Sequence, residues 1–378
     1  MTHSYLMNTY KRTPVRFEGG RGARLVDSDG REYIDLLSGI AVASVGHAHP
    51  RVTEAIQKQA AKLVHVSNLF ETTPQGELAA RLGHLTDDML SFFCNSGAEA
   101  VECALKLARK HARVAGRNAT GFVCAAEGFH GRTLGALSAT GQPAKQAPFA
   151  PLVPGVRFTE PGDTASLLAA VDDEVGCILL EPVLGEGGVR PLAPDFVAAA
   201  RALADEAGAL LVLDEVQTGV GRTGAFFCFE RLGVRPDAVT LAKGLANGLP
   251  IGALLVADGS PPGLEPGDHG STFGGNPVAC AAAAATVDAI TPELLAGVRA
   301  KERLVRSVFP AVRGRGLLIG LELDRPAAPV VDACRERGVL VGSAGERVLR
   351  LTPPLTIADE ELAHGLHVLE EVLADEQV

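Results

Sequence analysis

The chain has 378 residues, 47% of them hydrophobic, which is enough to bury a large domain together with a smaller one. Its formal net charge is −10 and no stretch is rich in lysine or arginine, which argues against nucleic acid or an anionic membrane as a partner. An anionic ligand would therefore have to be held by a few placed side chains rather than by the field of the whole protein.

The cysteines and the N-terminus indicate a reducing, cytoplasmic location. The seven cysteines are scattered, and no two form the Cys-x-x-Cys pair of a zinc ribbon, so we predict neither a metal site nor a disulfide framework. The first residues lack the apolar core of a signal peptide, and no apolar run is long enough to span a membrane.

The N-terminal part of the chain predicts a hairpin followed by two helices. Residues 24–36 surround an Asp29-Gly30 step, which is typical of a β-hairpin turn. Helical periodicity follows over residues 51–64, and a second helix is predicted over about 74–83.

Strands and helices then alternate along the chain. The predicted elements are, in order, a strand at 92–93, a helix over 100–115, strands at 121–125 and 177–180, a helix over 195–208, and strands at 209–214, 237–243 and 251–257. This alternation indicates an α/β fold in which a mostly parallel central sheet carries helices on both faces.

The C-terminal part has a different pattern. After about residue 282 we predict a helix over 292–309, short strands at 316–323 and 348–351, and a final helix over 358–374. These elements favour a smaller α+β domain. The predicted division is a large domain over residues 50–281 and a small domain made of residues 1–49 and 282–378.

Two strand ends carry the residues of greatest chemical interest. Asp214 follows the apolar run at 209–213, and Lys243 ends the next run. Open α/β sheets bind ligands at the carboxyl ends of their strands, so this carboxylate and this amine are expected to face one cleft. Pyridoxal phosphate chemistry needs such a pair, a lysine to bond its aldehyde carbon and an acid beside its ring nitrogen. Taken alone, Lys243 also fits a solvated loop, and Asp214 a helix cap or an ion pair.

Residues Ser96-Gly97-Ala98-Glu99 have the sequence of a helix N-terminus that could receive an anion. Ser96 can cap the helix, with Glu99 three residues on, and the small residues between them leave room for a phosphate. Most capping boxes bind no phosphate, so this segment alone is a weak signal.

Further residues could contact a ligand at the same edge of the sheet. Phe129 could stack on a flat ring, and Arg132 could hold a carboxylate through two hydrogen bonds. The polar turn at 271–277 has hydroxyls that could reach a phosphate, and Arg350 ends an otherwise apolar strand. Each of them also fits an ordinary structural role, as a core ring, a surface charge, a loop or a packed stem.

Taken together, these segments resemble the class III pyridoxal-phosphate-dependent aminotransferases. Four motifs occur in the family's order and at its usual spacing, at residues 94–100, 129–133, 214–219 and 271–277, and this combination is very specific. The resemblance covers nearly the whole chain. It implies a fold-type I homodimer with active sites at the subunit interface, and pyridoxal 5′-phosphate as the cofactor.

The resemblance also implies roles for individual residues. Lys243 and Asp214 would be the catalytic pair, with Lys243 bonded to the cofactor and Asp214 beside its ring nitrogen. Phe129 would stack on the ring, while Gly97 and Ala98 would bind the phosphate. The full cofactor-binding set would be Ser96, Gly97, Ala98, Phe129, Asp214, Val216, Gln217, Lys243 and, reaching the cofactor of the partner subunit, Thr272.

Substrate contacts are implied in the same way. Arg132 would bind the substrate's α-carboxylate, and Ser271 would lie near the substrate. Glu186 and Arg350 match a pair in which the glutamate masks the arginine while the amino donor is bound. It then releases the arginine to grip the α-carboxylate of 2-oxoglutarate. Such a pair would let one pocket serve two substrates without leaving a buried charge unpaired.

The reaction expected from the resemblance transfers the δ-amino group of N2-acetyl-L-ornithine to 2-oxoglutarate. Its products would be N-acetyl-L-glutamate 5-semialdehyde and L-glutamate, in arginine biosynthesis. The segments at 181–189 and 221–224 are similar to those of family members with that activity. Ile40 stands where ornithine-specific members tend to have a tyrosine that recognises the free α-amine, which favours an N-acylated donor.

Other donors and other classes of protein stay open at this point. Succinyldiaminopimelate, succinylornithine, ornithine, 4-aminobutyrate or a carrier-bound lysine intermediate would suit the same fold. A glutamate-semialdehyde aminomutase would use the same cofactor without a second substrate, and a non-catalytic regulator would bind it without a reaction. A nicotinamide-dependent oxidoreductase is not expected, because no Gly-x-Gly-x-x-Gly follows an early strand.

Overall fold

The structure is a computed structural model that describes residues 5–257 and 263–375. At its centre is a seven-stranded sheet. In spatial order its strands are Leu90–Cys94, Gly252–Val256, Ala238–Leu241, Leu210–Asp214, Val175–Leu180, Gly121–Ala125 and Val156–Thr159. All of them run parallel except Gly252–Val256, which pairs antiparallel with both neighbours. The predicted α/β fold with a mostly parallel sheet is confirmed.

The middle of this sheet is buried on both faces. The strands Leu210–Asp214, Val175–Leu180 and Gly121–Ala125 are buried along their whole length. The helix Gly97–Val114 packs on one face of the sheet, and the helix Pro194–Ala207 packs on the other. A continuous apolar strand therefore finds a covering layer on each side, which is the arrangement that parallel sheets require.

Helices make up the two outer layers and much of the C-terminal part. The α-helices are Pro50–Lys62, Thr73–His84, Gly97–Val114, Leu134–Ala139, Pro143–Gln146, Thr164–Ala170, Pro194–Ala207, Pro277–Ala289, Pro292–Val308, Ala327–Glu336 and Asp359–Ala374, and the 3₁₀ turns are Ala147–Phe149, Cys228–Arg231 and Lys243–Ala246. A further helical turn, Ser38–Ala41, contains left-handed Gly39 and Ile40. Many of the helices start at proline, whose fixed φ suits the first turn.

Three smaller sheets flank the central one. The first joins Phe17–Arg21, Arg24–Asp27, Glu32–Asp35 and Val339–Leu340, the second joins Arg313–Arg315, Leu318–Glu322, Val348–Leu351 and Gly342–Ser343, and the third pairs Val183–Leu184 with Arg190–Pro191. The predicted N-terminal hairpin is confirmed, and a parallel strand from the far end of the chain extends it. The division of the chain into a large and a small domain stays a prediction.

Most elements predicted from sequence lie close to the observed bounds, and two misses are instructive. Val156–Thr159 has only four residues and is half-exposed at the edge of the central sheet, so its sequence has no apolar run. Ala327–Glu336 is a ten-residue helix whose buried residues Ala327, Val330 and Cys334 follow helical spacing, but it is short and has a proline at its third position.

No single helix among the described residues is both long and apolar enough to cross a bilayer; only the helices Pro277–Ala289 and Pro292–Val308, joined across a 70° bend, pass such a test together. All seven cysteines are buried free thiols.

Candidate active site

The carboxyl edge of the central sheet carries a cavity of about 400 Å³. Asp214 ends its strand there, and the neighbouring strand Ala238–Leu241 leads through Ala242 to Lys243. The two strands pair in parallel, with Asp214 beside Thr240. Asp214 and Lys243 both line the cavity, as their positions at strand ends predict.

Most of the residues that the sequence places in the site line this one cavity. They are Ser96, Gly97, Ala98, Phe129, Arg132, Asp214, Val216, Gln217 and Lys243. The remaining predicted residues, Glu186, Arg350, Ser271 and Thr272, do not line it. Wall residues without a predicted role include Asn95, His130 and Glu181.

Asp214 is fixed by three hydrogen bonds. Its carboxylate is 4% exposed and lies 2.7 Å from Nδ1 of His130 and 2.9 Å from the hydroxyl of Thr240, and the backbone N–H of Val216 donates to it at 3.1 Å. Burial by itself lowers the pKa of His130, but the hydrogen bond and charge of Asp214 raise that pKa above its ordinary value. The hydrogen bond between His130 and Asp214 therefore fixes the orientation of the carboxylate.

Glu181 lies behind this pair in the buried wall. Its carboxylate accepts hydrogen bonds from the backbone N–H groups of Phe129, at 2.8 Å, and Gly185, at 3.2 Å. Desolvation raises the pKa of Glu181 to about 7, and the charge of His130 offsets only part of that effect. Sequence reasoning gave no role to His130 or Glu181. The sequence nevertheless contains a signal for each, because His130 lies in the motif at 129–133 and Glu181 directly follows a predicted strand.

The amine of Lys243 is prepared for reaction by its surroundings. Desolvation lowers the pKa of Lys243, and the charge of Glu186 opposes only part of this shift. No described residue makes a hydrogen bond to the amine. The backbone of Lys243 has a φ of 40°, in the left-handed region that lysine seldom adopts, and the buried segment 244–246 holds it there.

The helix Gly97–Val114 begins at the cavity and offers its free N–H groups to it. The hydroxyl of Ser96 accepts a hydrogen bond from the backbone N–H of Glu99 at 3.2 Å, as the sequence predicts. The second half of the predicted capping box differs, because the Glu99 carboxylate accepts from the backbone N–H of Asn95 rather than that of Ser96. A Cβ on Gly97 would lie 2.8 Å from the side chain of Val216, so only glycine lets the helix start this close to the wall.

Phe129 and Arg132 form the outer part of the cavity wall. The guanidinium carbon of Arg132 lies 5.5 Å from the centroid of the Phe129 ring. The side chain is exposed, and no described carboxylate forms an ion pair with it. An unpaired guanidinium at the cavity mouth is suited to binding a carboxylate.

Glu186 and Arg350 form an ion pair next to the cavity. Arg350, which is 2% exposed, donates to the Glu186 carboxylate, to the carbonyl of Gly185 and to Oε1 of Gln217, the last two at 3.2 Å. Burial raises the pKa of Glu186, but the charge and hydrogen bond of Arg350 hold it below its usual value. Because Gln217 lines the cavity, the pair is one side chain away from it.

Ser271 and Thr272 are not brought into the cavity within one chain. The hydroxyl of Ser271 accepts a hydrogen bond at 3.1 Å from the side-chain amide of Asn95, which does line the cavity. Thr272 is exposed. A contact between Thr272 and the cofactor of the partner subunit stays a prediction.

Comparison with known proteins decides the family. The model of the family described as aminotransferase class-III matches residues 5–373. The chain belongs to the class III aminotransferase family. It is 45% identical to acetylornithine aminotransferase of Aquifex aeolicus, over 98% of this chain and 100% of that protein.

Solved structures of class III aminotransferases have the same fold. N-acetylornithine aminotransferase from Stenotrophomonas maltophilia K279a is 37% identical, with a TM-score of 0.84 over 97% of both chains. Ornithine aminotransferase from Toxoplasma gondii ME49 is 33% identical, with a TM-score of 0.93 over 99% of this chain and 93% of that chain. These similarities confirm the predicted family and the fold-type I architecture.

The cofactor of class III aminotransferases is pyridoxal 5′-phosphate, and the cavity of this aminotransferase fits it. Lys243 supplies an amine whose pKa is lowered, and Asp214 supplies a buried carboxylate that is oriented by His130. The start of the helix at Gly97 supplies N–H groups for a phosphate. The cofactor's aldehyde carbon requires an amine, its ring nitrogen a carboxylate and its phosphate N–H donors. All three kinds of group lie in the wall of one cavity.

Proposed function

We propose that this aminotransferase transfers the δ-amino group of N2-acetyl-L-ornithine to 2-oxoglutarate, giving N-acetyl-L-glutamate 5-semialdehyde and L-glutamate. The reaction would serve arginine biosynthesis in the cytoplasm. The observation that carries the proposal is a difference between two arginines: Arg132 has no carboxylate partner among the described residues, whereas Arg350 is paired with Glu186. The name of the Aquifex aeolicus relative supports the same donor.

The two arginines match the charges of the two substrates. N2-Acetylornithine has one carboxylate, far from its reacting amine, and Arg132 at the cavity mouth suits it. Its methylene chain is neutral, and Arg350 presents no net charge to that chain while Glu186 is bound to it. 2-Oxoglutarate has two carboxylates, and the second needs Arg350 free of Glu186.

The residues of the chain have distinct tasks in this reaction. When bound, pyridoxal phosphate supplies a ring that takes up the electrons left behind when a proton leaves the carbon next to the amine. The neutral amine of Lys243 removes that proton from Cδ of the donor, and later delivers a proton to C2 of the keto acid. Asp214, oriented by its hydrogen bond to His130, would stabilise positive charge at the ring nitrogen.

The proposal includes a homodimer with shared active sites. Around Thr272 the surface exposes Leu69, Phe70 and Phe273. The side chain of Asn68 ties these two loops together, donating to the carbonyl of Gly274 at 2.8 Å. An apolar patch next to a residue with a predicted role in the partner's site supports a second copy of this chain as its occupant.

Half-reaction spectra test the donor. The holoenzyme is mixed with N2-acetylornithine, succinylornithine, ornithine or 4-aminobutyrate, and loss of the cofactor's visible band gives kcat/KM for each. We expect the highest value for N2-acetylornithine and complete dependence of turnover on 2-oxoglutarate. A higher value for another donor would refute the proposed substrate, and turnover without a keto acid would indicate an aminomutase.

Mixed dimers test the shared site. Lys243→Ala and Thr272→Ala subunits are purified separately, then mixed, partly unfolded and refolded. If Thr272 acts in the partner's site, each mixed dimer contains one site with both wild-type residues, and activity rises well above that of either variant. Activity equal to the average of the two variants would mean that Thr272 does not act across the interface.

A further inference from the structure

A second cation lies beside Arg132 at the outer end of the site. The short helix Pro143–Gln146 carries Lys145, whose amine lies 5.7 Å from the centroid of the Phe129 ring. Arg132 approaches the same ring at 5.5 Å. Lys145 is half-buried, and its amine donates to the side-chain oxygen of Gln142. Arg132 and Lys145 thus both contact the Phe129 ring, where we expect the end of the substrate that is farthest from its reacting amine.

We propose that Lys145 determines donor specificity: it rejects donors with a free α-ammonium group and so selects those whose α-amine is acylated. The inference rests on the proposed function, because it concerns donors of the ornithine type. It attributes the preference for an acylated donor to the side chain of Lys145.

The carboxylates near Lys145 are already engaged by arginines. Glu186 is paired with Arg350, and Glu127, whose backbone carbonyl accepts a hydrogen bond from Gln142, is paired with Arg190. Neither carboxylate is left to bind an ammonium group of a substrate. A positively charged group that enters the space beside Arg132 and Lys145 therefore meets two cations, and neither of these two carboxylates is free to compensate it.

Lys145 and Arg132 are close enough to influence each other. Burial lowers the pKa of Lys145, the charge of Arg132 lowers it further, and the charge of Glu186 opposes the shift in part. The space beside Arg132 and Lys145 therefore has an excess of positive charge when both side chains are protonated. Such a site favours an anionic group and disfavours a zwitterionic one.

This excess of positive charge distinguishes free from acylated donors because of the group on the donor's α-carbon. In free ornithine the α-ammonium is bonded to the same carbon as the carboxylate that Arg132 would bind, so we expect it to approach Lys145, which contacts the same ring as Arg132. Acylation removes that positive charge and puts a carbonyl oxygen in its place, which can accept a hydrogen bond from the Lys145 amine. Repulsion between two cations several ångströms apart in a half-buried site corresponds to roughly tenfold in kcat/KM.

The test measures the ratio of kcat/KM for N2-acetylornithine to that for ornithine in the holoenzyme and its variants. We expect Lys145→Met to lower the ratio about tenfold, Lys145→Glu to lower it further, and Lys145→Arg to keep it. The matched control is Lys58→Met, a change on an exposed helix, which should leave the ratio unchanged. Ratios within twofold of wild type in both Lys145→Met and Lys145→Glu would overturn the inference.

A second comparison needs only the wild-type protein and so does not depend on any variant folding. 5-Aminopentanoate is ornithine without its α-amine, and we expect its kcat/KM to exceed that of ornithine. An equal or lower value would overturn the role of Lys145, whatever the result with the acetylated donor. A wild type that prefers 5-aminopentanoate to ornithine but does not accept N2-acetylornithine would instead overturn the proposed function alone.

Discussion

The cofactor end and the substrate end of the site are built in different ways. At the cofactor end, Asp214 is 4% exposed and held by three hydrogen bonds, and Gly97 leaves no space between its helix and Val216. At the substrate end, Arg132 is exposed, and Arg350 is held by Glu186, whose side chain is 26% exposed. One end is a fixed environment, and at the other we propose that the charges exchange partners.

The difference follows from what each end must hold. A group that stays bound through the whole reaction is best served by one preorganised arrangement of charges and donors. Two substrates of different charge need an arrangement that changes between them. Variants at the cofactor end should therefore slow both half-reactions equally, and variants at the substrate end should slow them unequally.

The largest effect is expected for Lys243→Ala. Because the variant has no amine to move the proton, both half-reactions should slow by about 10⁴-fold. Stopped-flow absorbance measures each half-reaction, and mass spectrometry after borohydride treatment should show covalent cofactor in the wild type only. Lys58→Ala is the control. A Lys243→Ala protein that still traps the cofactor would contradict the assignment of Lys243.

Asp214→Asn should slow both half-reactions by about 10²- to 10³-fold, because the fixed negative charge beside the ring nitrogen is lost. The same stopped-flow measurement gives both rates. Thr240→Val, which removes only one of the hydrogen bonds to Asp214, should have a smaller effect in the same proportion. If either variant slowed one half-reaction much more than the other, the contrast between the two ends would not hold.

Glu186→Ala should slow the donor half-reaction about tenfold and leave the 2-oxoglutarate half-reaction within about twofold. Without Glu186, Arg350 presents an unpaired buried cation to the neutral chain of the donor, whereas 2-oxoglutarate brings its own carboxylate. Single-turnover rates with each substrate give the ratio. Glu127→Ala, which breaks a neighbouring exposed ion pair, is the control. Equal slowing of both halves would refute the masking role.

The last expected effect is on stability rather than on rate, at Glu181. This carboxyl titrates near 4.5 when unfolded and at about 7 when folded. Between these pH values the folded protein binds more protons, so the stability that Glu181 contributes is present below pH 4.5 and is lost as pH rises through 7. The side chain of Glu181→Gln is neutral at every pH. As pH rises, the free energy of unfolding of this variant should therefore increase relative to that of the wild type.

Denaturant unfolding of the holoenzyme at pH 5 and pH 8 measures this difference. The free energy of Glu181→Gln relative to wild type should increase between the two pH values by up to about 3 kcal/mol. Glu160→Gln, a change at an exposed position, should show no such increase. The absence of any pH-dependent difference would mean that Glu181 stays ionised in the folded protein.

The strands and their ends were predictable because they depend on local sequence. An apolar run followed by a polar residue indicates where a buried strand stops, and this pattern identifies Asp214 and Lys243. The contacts that make these residues work join distant parts of the chain. His130 and Asp214 are 84 residues apart, and Arg350 and Gln217 are 133 apart, so no local pattern specifies them. Glu186 and Arg350 were named only through the resemblance.

Buried charge is the other feature that the sequence did not show. Arg222 is 1% exposed and donates to the carbonyls of Leu317, at 3.1 Å, and Pro353, at 2.6 Å. Burial lowers its pKa to about 9. The sequence around Arg222 is a glycine-rich loop, which suggests a surface residue. The carbonyl groups that bind its guanidinium belong to segments about 95 and 131 residues further along the chain, so local sequence does not show that it is buried.

The strand Glu32–Asp35 pairs with Val339–Leu340, which is separated from it by roughly 300 residues. A ribosome completes the last strand of the central sheet, Gly252–Val256, well before it makes Val339–Leu340. At about 5 to 20 residues per second, the N-terminal hairpin waits roughly 15 to 60 s for its partner. During that time the nascent chain carries an open strand edge, so truncated or stalled chains are exposed to pairing with one another at this edge.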